Sequence, residues 1–197
     1  MILLAIDTSL GTSVAVVGDG ISVEKSTPET RSHAEVIGSF ILDSLAEAGV
    51  APADVAAVVA GLGPGAFTGL RVGIAAAISF GAGREIPVYG LSSHDSTGFD
   101  ISVCTVVSDV RRKELAATSY ADSRVVAGPL LTNEAELSIA VDLVTYPEVR
   151  LTQVSAARLA AAAKLRLERG EDLSSLAPIY LRAPDVTPSK GPKRVTA

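Results

Sequence analysis

The chain opens on a short apolar run at residues 2–6, and a second run at 12–17 resumes after Thr8-Ser9-Leu10-Gly11. Gly18-Asp19-Gly20 marks a tight hairpin and Ile21-Ser22-Val23-Glu24-Lys25 alternates with period two, so three consecutive antiparallel strands are predicted. After a loop at 28–31 the period lengthens. Ile37, Ile41, Leu45 and Ala48 fall on one helical stripe, while Glu35, Ser39, Asp43 and Glu47 form a polar one, which predicts an amphipathic helix closed by Gly49. Ser32-His33-Ala34-Glu35 has the spacing of a capping box at its start. Residues 55–60 have the composition of a strand buried on both faces. Gly61-Leu62-Gly63-Pro64-Gly65 leads into a second helix that begins at Phe67 or Thr68 and ends around Gly81-Ala82-Gly83, before a further strand at 86–90. A three-strand meander followed by alternating helix and strand defines an α/β sheet with an antiparallel start.

From residue 101 the pattern weakens. Strands are predicted at 103–107, 114–120 and 124–131, and helices near 133–140 and 155–169. The chain therefore divides into a first lobe at 1–98, a second at 99–183, and a basic tail at 184–197 that carries three prolines with Lys190, Lys193 and Arg194. No internal repeat is visible.

Composition narrows the function. The 197 residues are 48% hydrophobic and 20% charged, enough for one core or two small lobes. The mean hydropathy of +0.38 comes largely from Ala and Val, and the apolar runs stop short of the ~18–20 residues that span a bilayer. The first residues lack a basic stretch and reach Asp7 after six positions, unlike a secretory signal. One cysteine, Cys104, makes no internal disulfide, so a cytoplasmic chain with no membrane partner is expected. A net charge of -5 with 4% aromatics and no Trp opposes a chain that grips nucleic acid by itself. Work on nucleic acid would need a basic partner.

The densest local signal is Gly63-Pro64-Gly65-Ala66-Phe67-Thr68-Gly69-Leu70-Arg71-Val72-Gly73. It fails the dinucleotide pattern at Thr68 and lacks the Lys-Ser/Thr pair of a phosphate loop. Two readings remain: helix amides that hold an anion, or a tight strand-to-helix turn. Gly69, Gly73, Ala77 and Gly81 place a smooth strip along the second helix. Interior glycines cost about 1 kcal/mol each relative to alanine, so a close neighbour must offset them, either within the lobe or across an interface formed by the two helices. Asp7 with Gly11 and Thr12, at the first hairpin, suits magnesium and phosphate or simply makes the turn. His33 lies in the first helical turn and His94 stands alone in Ser92-Ser93-His94-Asp95. Two histidines and one cysteine leave no His/Cys zinc site, and Gly90-Leu91-Ser92-Ser93-His94 lacks the second glycine of a serine elbow. Asp109, Arg111, Arg112, Lys113 and Glu114 form a charged cluster suited to a solvated turn or a partner contact.

Together these segments resemble the TsaB (YeaZ) family. The carrying residues are Ala5-Ile6-Asp7-Thr8-Ser9, Arg31-Ser32-His33-Ala34-Glu35, the glycine-rich run at 63–73, Gly90-Leu91-Ser92-Ser93 and Pro178-Ile179-Tyr180-Leu181-Arg182. The resemblance implies the actin-like ATPase (ribonuclease H-like) fold, with two lobes of which the second is reduced. It implies a noncatalytic subunit, without its own cofactor or metal, of the complex that makes threonylcarbamoyladenosine beside the anticodon of tRNAs reading codons that start with A. Its partners would be the catalytic subunit TsaD and the ATPase TsaE, with a possible homodimer and only indirect contact with tRNA. The metal-binding H-x-x-x-H of TsaD falls here on Ser93 and Thr97. By the same resemblance, Ile37, Ile41, Leu45, Gly69, Gly73 and Ala77 lie at or near the partner contact, and Asp7, Gly11 and Thr12 mark a vestigial nucleotide site. The alternative is a stand-alone actin-like ATPase or phosphotransferase that uses those last three residues.

Overall fold

The computed structural model describes residues 1–18 and 20–182. The first sheet contains β1 (Ile2–Asp7), β2 (Thr12–Gly18), β3 (Ile21–Thr27), β4 (Val55–Gly61) and β5 (Val88–Leu91), in the order β3-β2-β1-β4-β5. β1, β2 and β3 are antiparallel neighbours, while β4 runs parallel to β1 and β5 parallel to β4. The expected opening meander is therefore present. β1 and β4 lie inside the sheet with both faces covered, which is why Leu3-Leu4-Ala5-Ile6 and Val58-Val59-Ala60 show no alternation. β3 lies at the edge and alternates half-buried with exposed.

One face of this sheet is covered by α1 (His33–Ala48) and α2 (Phe67–Arg84). Leu4, Ile6, Val14, Val16 and Val58 meet Ile37, Leu45, Leu70 and Ile74 in that layer. Gly49 ends α1 in the left-handed region at φ 64°, as expected. The capping box is absent: Ser32 has φ -108° and ψ 16° and makes no side-chain cap bond. Its backbone carbonyl instead accepts from the Glu35 and Val36 amides, because that backbone does not place the hydroxyl as an extended N-cap would.

The second sheet contains β6 (Val103–Asp109), β7 (Glu114–Ala121), β8 (Arg124–Asn133) and β9 (Glu148–Leu151), in the order β8-β7-β6-β9. Its first three strands are antiparallel and β9 runs parallel to β6. This repeats the β3-β2-β1-β4 arrangement, although the sequence shows no repeat. α4 (Leu137–Ala140) occupies the crossover but has only 4 residues, shorter than expected.

α3 (Asp95–Gly98) links the two sheets. α5 (Ala156–Glu168) follows the second sheet in sequence but covers the far face of the first. Leu159, Ala160 and Ala163 pack there with Leu3, Ala5, Ala57 and Val59, and the same cluster includes Cys104, Val106 and Tyr120 of the second sheet. Glu24 on β3 anchors α5: its carboxylate accepts from the Ala156 amide at 2.7 Å and the Ser155 hydroxyl at 2.9 Å. Among the described residues, no helix is long and apolar enough to cross a membrane. The basic tail at 184–197 lies outside the described residues.

Candidate functional site

At the end of β1 the chain turns into a buried polar knot. One oxygen of the Asp7 carboxylate accepts from the Ser9 amide at 2.8 Å and the Ser9 hydroxyl at 2.6 Å, a local geometry typical of Asx turns. The other oxygen accepts from the Ser93 hydroxyl. The carboxylate also rests on Gly61, where a Cβ would overlap it. Burial pushes the Asp7 pKa up, against the lowering effect of the Ser9 and Ser93 hydrogen bonds.

Thr8 continues the knot into α2. Its hydroxyl donates to the Gly69 carbonyl at 2.8 Å and accepts from the Gly73 amide at 3.1 Å. A Cβ at Gly73 would overlap that hydroxyl, and one at Gly69 would come within 3.0 Å of the His33 ring and the Thr8 carbonyl. Gly69 and Gly73 thus recur along α2 because Thr8 and His33 approach its backbone, and Gly81 because Val88 does. The small-residue strip faces inward, and intramolecular packing accounts for it.

Gly11 has φ 100° and a Cβ there would overlap the Thr27 carbonyl. The Thr12 hydroxyl pairs with Nδ1 of His33 at 2.8 Å, and both residues are buried. His33 is therefore an internal hydrogen-bond partner rather than a surface residue, and burial lowers its pKa. Asp7, Gly11 and Thr12, brought together as the sequence suggests, do not fit magnesium nucleotide: the carboxylate is enclosed, and the turn is occupied by Thr27 and His33. The adjoining cleft, lined by Ser9, Leu10, Asp109 and Arg111, has a volume of about 170 Å³, below the ~300–1,000 Å³ of ordinary small-molecule sites.

The glycine-rich loop is a locked turn. The Gly63 amide donates to the Ser93 hydroxyl at 3.0 Å, and its carbonyl accepts from the Ser93 amide at 2.8 Å. Ser93 therefore spends its side chain on Asp7 and Gly63, and Thr97, four residues on, is buried in α3. His94 bonds Thr118 at 2.9 Å and Ser108 at 2.8 Å, and burial lowers its pKa to about 3. Asp95 accepts from the Tyr120 hydroxyl at 2.7 Å and from Arg166 at 2.9 Å. These bonds fix α3 to the second sheet and α5.

Opposite the glycine-rich loop stands the charged cluster. Arg111, Arg112 and Lys113 all lie in the left-handed region, with φ of 75°, 61° and 62°, a conformation that costs non-glycine residues about 1 kcal/mol or more each. The Pro178-Ile179-Tyr180-Leu181-Arg182 segment joins the two sides. The Ile179 amide donates to the Leu62 carbonyl at 2.8 Å, Tyr180 stacks on Phe67 with ring centres 4.5 Å apart, and Arg182 donates to the Arg111 carbonyl at 2.8 Å. Arg71 lies over the Phe67 ring at 3.8 Å and donates to the Tyr180 hydroxyl.

Of the six positions expected near a partner, Ile37, Leu45, Gly69, Gly73 and Ala77 are buried within the first lobe and Ile41 is half-buried. An exposed row lies beside them: Ala34, Gly38, Leu42 and Ala46 on α1, with Ala75, Ile78 and Ala82 on α2. Leu42 is 66% exposed and Ile78 42%. Its signal was present in the i, i+4 spacing of small and apolar residues at 34, 38, 42 and 46.

The strand order and its repeat in the second sheet define a protein of the actin-like ATPase (ribonuclease H-like) class. YeaZ from Pseudomonas aeruginosa shares the fold, with a TM-score of 0.74 over 91% of this chain and 99% of that one at 23% identity. The family profile described as TsaD, tRNA N6-adenosine threonylcarbamoyltransferase, matches residues 26–125. An uncharacterized Mycobacterium tuberculosis protein is 37% identical over 177 residues, covering 84% of this chain and 82% of that protein. The Escherichia coli tRNA threonylcarbamoyladenosine biosynthesis protein TsaB is 37% identical over 94 residues, 47% of this chain and 41% of its own length. The chain belongs to the TsaB (YeaZ) family of TsaD-related proteins.

Proposed function

We propose that the chain is a noncatalytic partner subunit in the synthesis of threonylcarbamoyladenosine on tRNA, acting in the cytoplasm. It binds and supports a TsaD-type catalytic subunit, with the ATPase TsaE in the same complex, and reaches tRNA only through these partners. The observation that carries the noncatalytic role is Ser93. Where the catalytic sister has its first metal-binding histidine, this chain has a buried hydroxyl already shared between Asp7 and Gly63. The similarity to TsaB supports the pathway, and the net charge of -5 supports a tRNA contact made by others.

Partner contact falls on the outer row of α1 and α2 rather than on the buried strip. Gly38 and Gly83 have no atom within 4 Å of where a Cβ would stand, and Leu42 and Ile78 are exposed apolar side chains. A second copy of the chain would use the same surface as a homodimer. Co-expression with the TsaD-type protein of the same cell tests the reading. The expected outcome is co-elution as one complex, with modification of tRNA restored only when both chains are present. A TsaD-type protein that modifies tRNA equally well without this chain would overturn it.

A further inference from the structure

We propose that the cavity between the start of α2 and the β6–β7 turn is a binding site for a small planar molecule bearing a phosphate or a carboxylate. This site adjoins the cleft beside Ser9, sharing Ala66 and Arg111 with it, and does not depend on the partner role above. The cavity has a volume of about 320 Å³, within the range of small-molecule sites at ~300–1,000 Å³. Phe67, Leu131 and Tyr180 give it apolar walls, and Arg111, Arg112 and Arg182 line it as well, with the Arg111 guanidinium reaching across to the Thr30 hydroxyl.

Both halves of the ligand follow from that lining. The Phe67–Tyr180 stack, with centres 4.5 Å apart, offers aromatic surface that favours a flat body. Guanidinium forks match the paired oxygens of a phosphate or carboxylate. Three arginines line this cavity although the chain carries a net charge of -5. Arg182 supplies a further observation. Its side chain donates to the Val110 and Arg111 carbonyls and pairs with Glu114, yet its Nε is buried with no acceptor among the described residues. A buried donor without an acceptor is costly, and a turn of the partly exposed Arg182 side chain toward the cavity would let an anionic ligand supply one. Three segments far apart in sequence hold the site, 64–67, 110–112 and 180–182, together with Leu131 of β8.

The test is titration of the isotope-labelled full chain with phenyl phosphate and, separately, with benzoate, followed by backbone amide shifts. Saturable shifts confined to the three segments and Leu131 are expected with at least one of the two, and whichever binds tighter identifies the anion. Phenol and inorganic phosphate should each bind at least about tenfold more weakly than that probe, because each lacks one half of the recognition. Arg182→Met should weaken binding by about tenfold or more. Leu131→Trp, which fills the cavity without removing a charge, should do the same and decides the matter if Arg182→Met disturbs the fold. The proposal is overturned if neither aryl anion saturates, if shifts fall elsewhere, or if inorganic phosphate binds as tightly as phenyl phosphate.

Discussion

The Thr8 hydroxyl is inserted between Gly69 and Gly73 of α2, donating to the first residue's carbonyl and accepting from the second's amide. A helix normally closes that i to i−4 pair itself, so the turn that follows β1 and α2 share one hydrogen-bond system. Thr8→Val removes both bonds and leaves buried polar groups short of partners, which costs about 1–3 kcal/mol. Gly73→Ala should destabilise by a similar amount, about 1–3 kcal/mol of overpacking, despite the higher helix propensity of alanine. Gly83→Ala in the same helix meets nothing and should be stabilising by up to about 1 kcal/mol. Urea midpoints of the three variants check both signs. A stabilised Gly73→Ala would mean that Thr8 can move aside.

Leu42→Arg separates association from folding. The side chain is 66% exposed, so its replacement should change stability by no more than about 0.5 kcal/mol. On the outer row of α1 it would place a charge in the middle of the proposed contact, where desolvation without a partner is expensive. Co-elution with the TsaD-type subunit should be lost while the thermal midpoint stays. Arginine at Leu45, 3% exposed, should unfold the lobe and so identifies nothing about partners.

The first sheet was legible in the sequence because its signals are local. Hairpin glycines, a period-two strand and a 3.6-residue stripe each fall within a few neighbours. β9 was missed because four residues, Glu148-Val149-Arg150-Leu151, carry too little period to stand out, although they do alternate. The strip on α2 was legible as a feature, but its direction was not. Spacing says that a smooth face exists, while only the fold shows that Thr8 and His33 press against it. Asp7 shows the same division. Ser9, two residues on, was a readable partner, whereas Ser93, 86 positions away, was not. The larger cavity is legible in sequence only in pieces, as a glycine-rich loop, a charged cluster and a closing motif. Nothing in sequence says that these three segments meet.

His94 sets a pH dependence. Burial lowers its pKa from 6.5 to about 3, so the unfolded chain binds the proton that the folded chain refuses. Its contribution to stability is complete above pH 6.5 and is lost as pH falls toward about 3, with a slope approaching about 1.4 kcal/mol per pH unit. Asp7 and Asp95 act in the opposite sense. Their raised pKa values make the folded state bind protons first, so their contribution to stability grows as pH falls. The histidine is isolated by comparing wild type with His94→Gln, which leaves both carboxylates in place. The stability difference between the two should shrink steadily from pH 7 to pH 4, measured by urea unfolding. A difference independent of pH would mean that the His94 ring reaches water.

Glu24 tests how the two ends of the chain depend on one another. Its carboxylate receives the Ala156 amide and the Ser155 hydroxyl, while Ser155 in turn caps the Arg158 amide at 3.2 Å. An anion at a helix start also opposes the helix dipole. Glu24→Ala should cost about 1 kcal/mol, the ordinary value of a lost N-cap. The loss should appear first as faster hydrogen exchange in the opening turn of α5, where little else on β3 reaches. Glu24→Gln keeps an acceptor for the Ala156 amide but loses the charge, and should recover part of the protection. Because the missing part is electrostatic and the site is exposed, the gap between wild type and Glu24→Gln should narrow as salt is raised. Unchanged exchange in α5 for Glu24→Ala would show that the Ser13 hydroxyl, which also accepts from the Ala156 amide at 3.1 Å, and the apolar contacts of Leu159, Ala160 and Ala163 hold the helix on the first sheet without it.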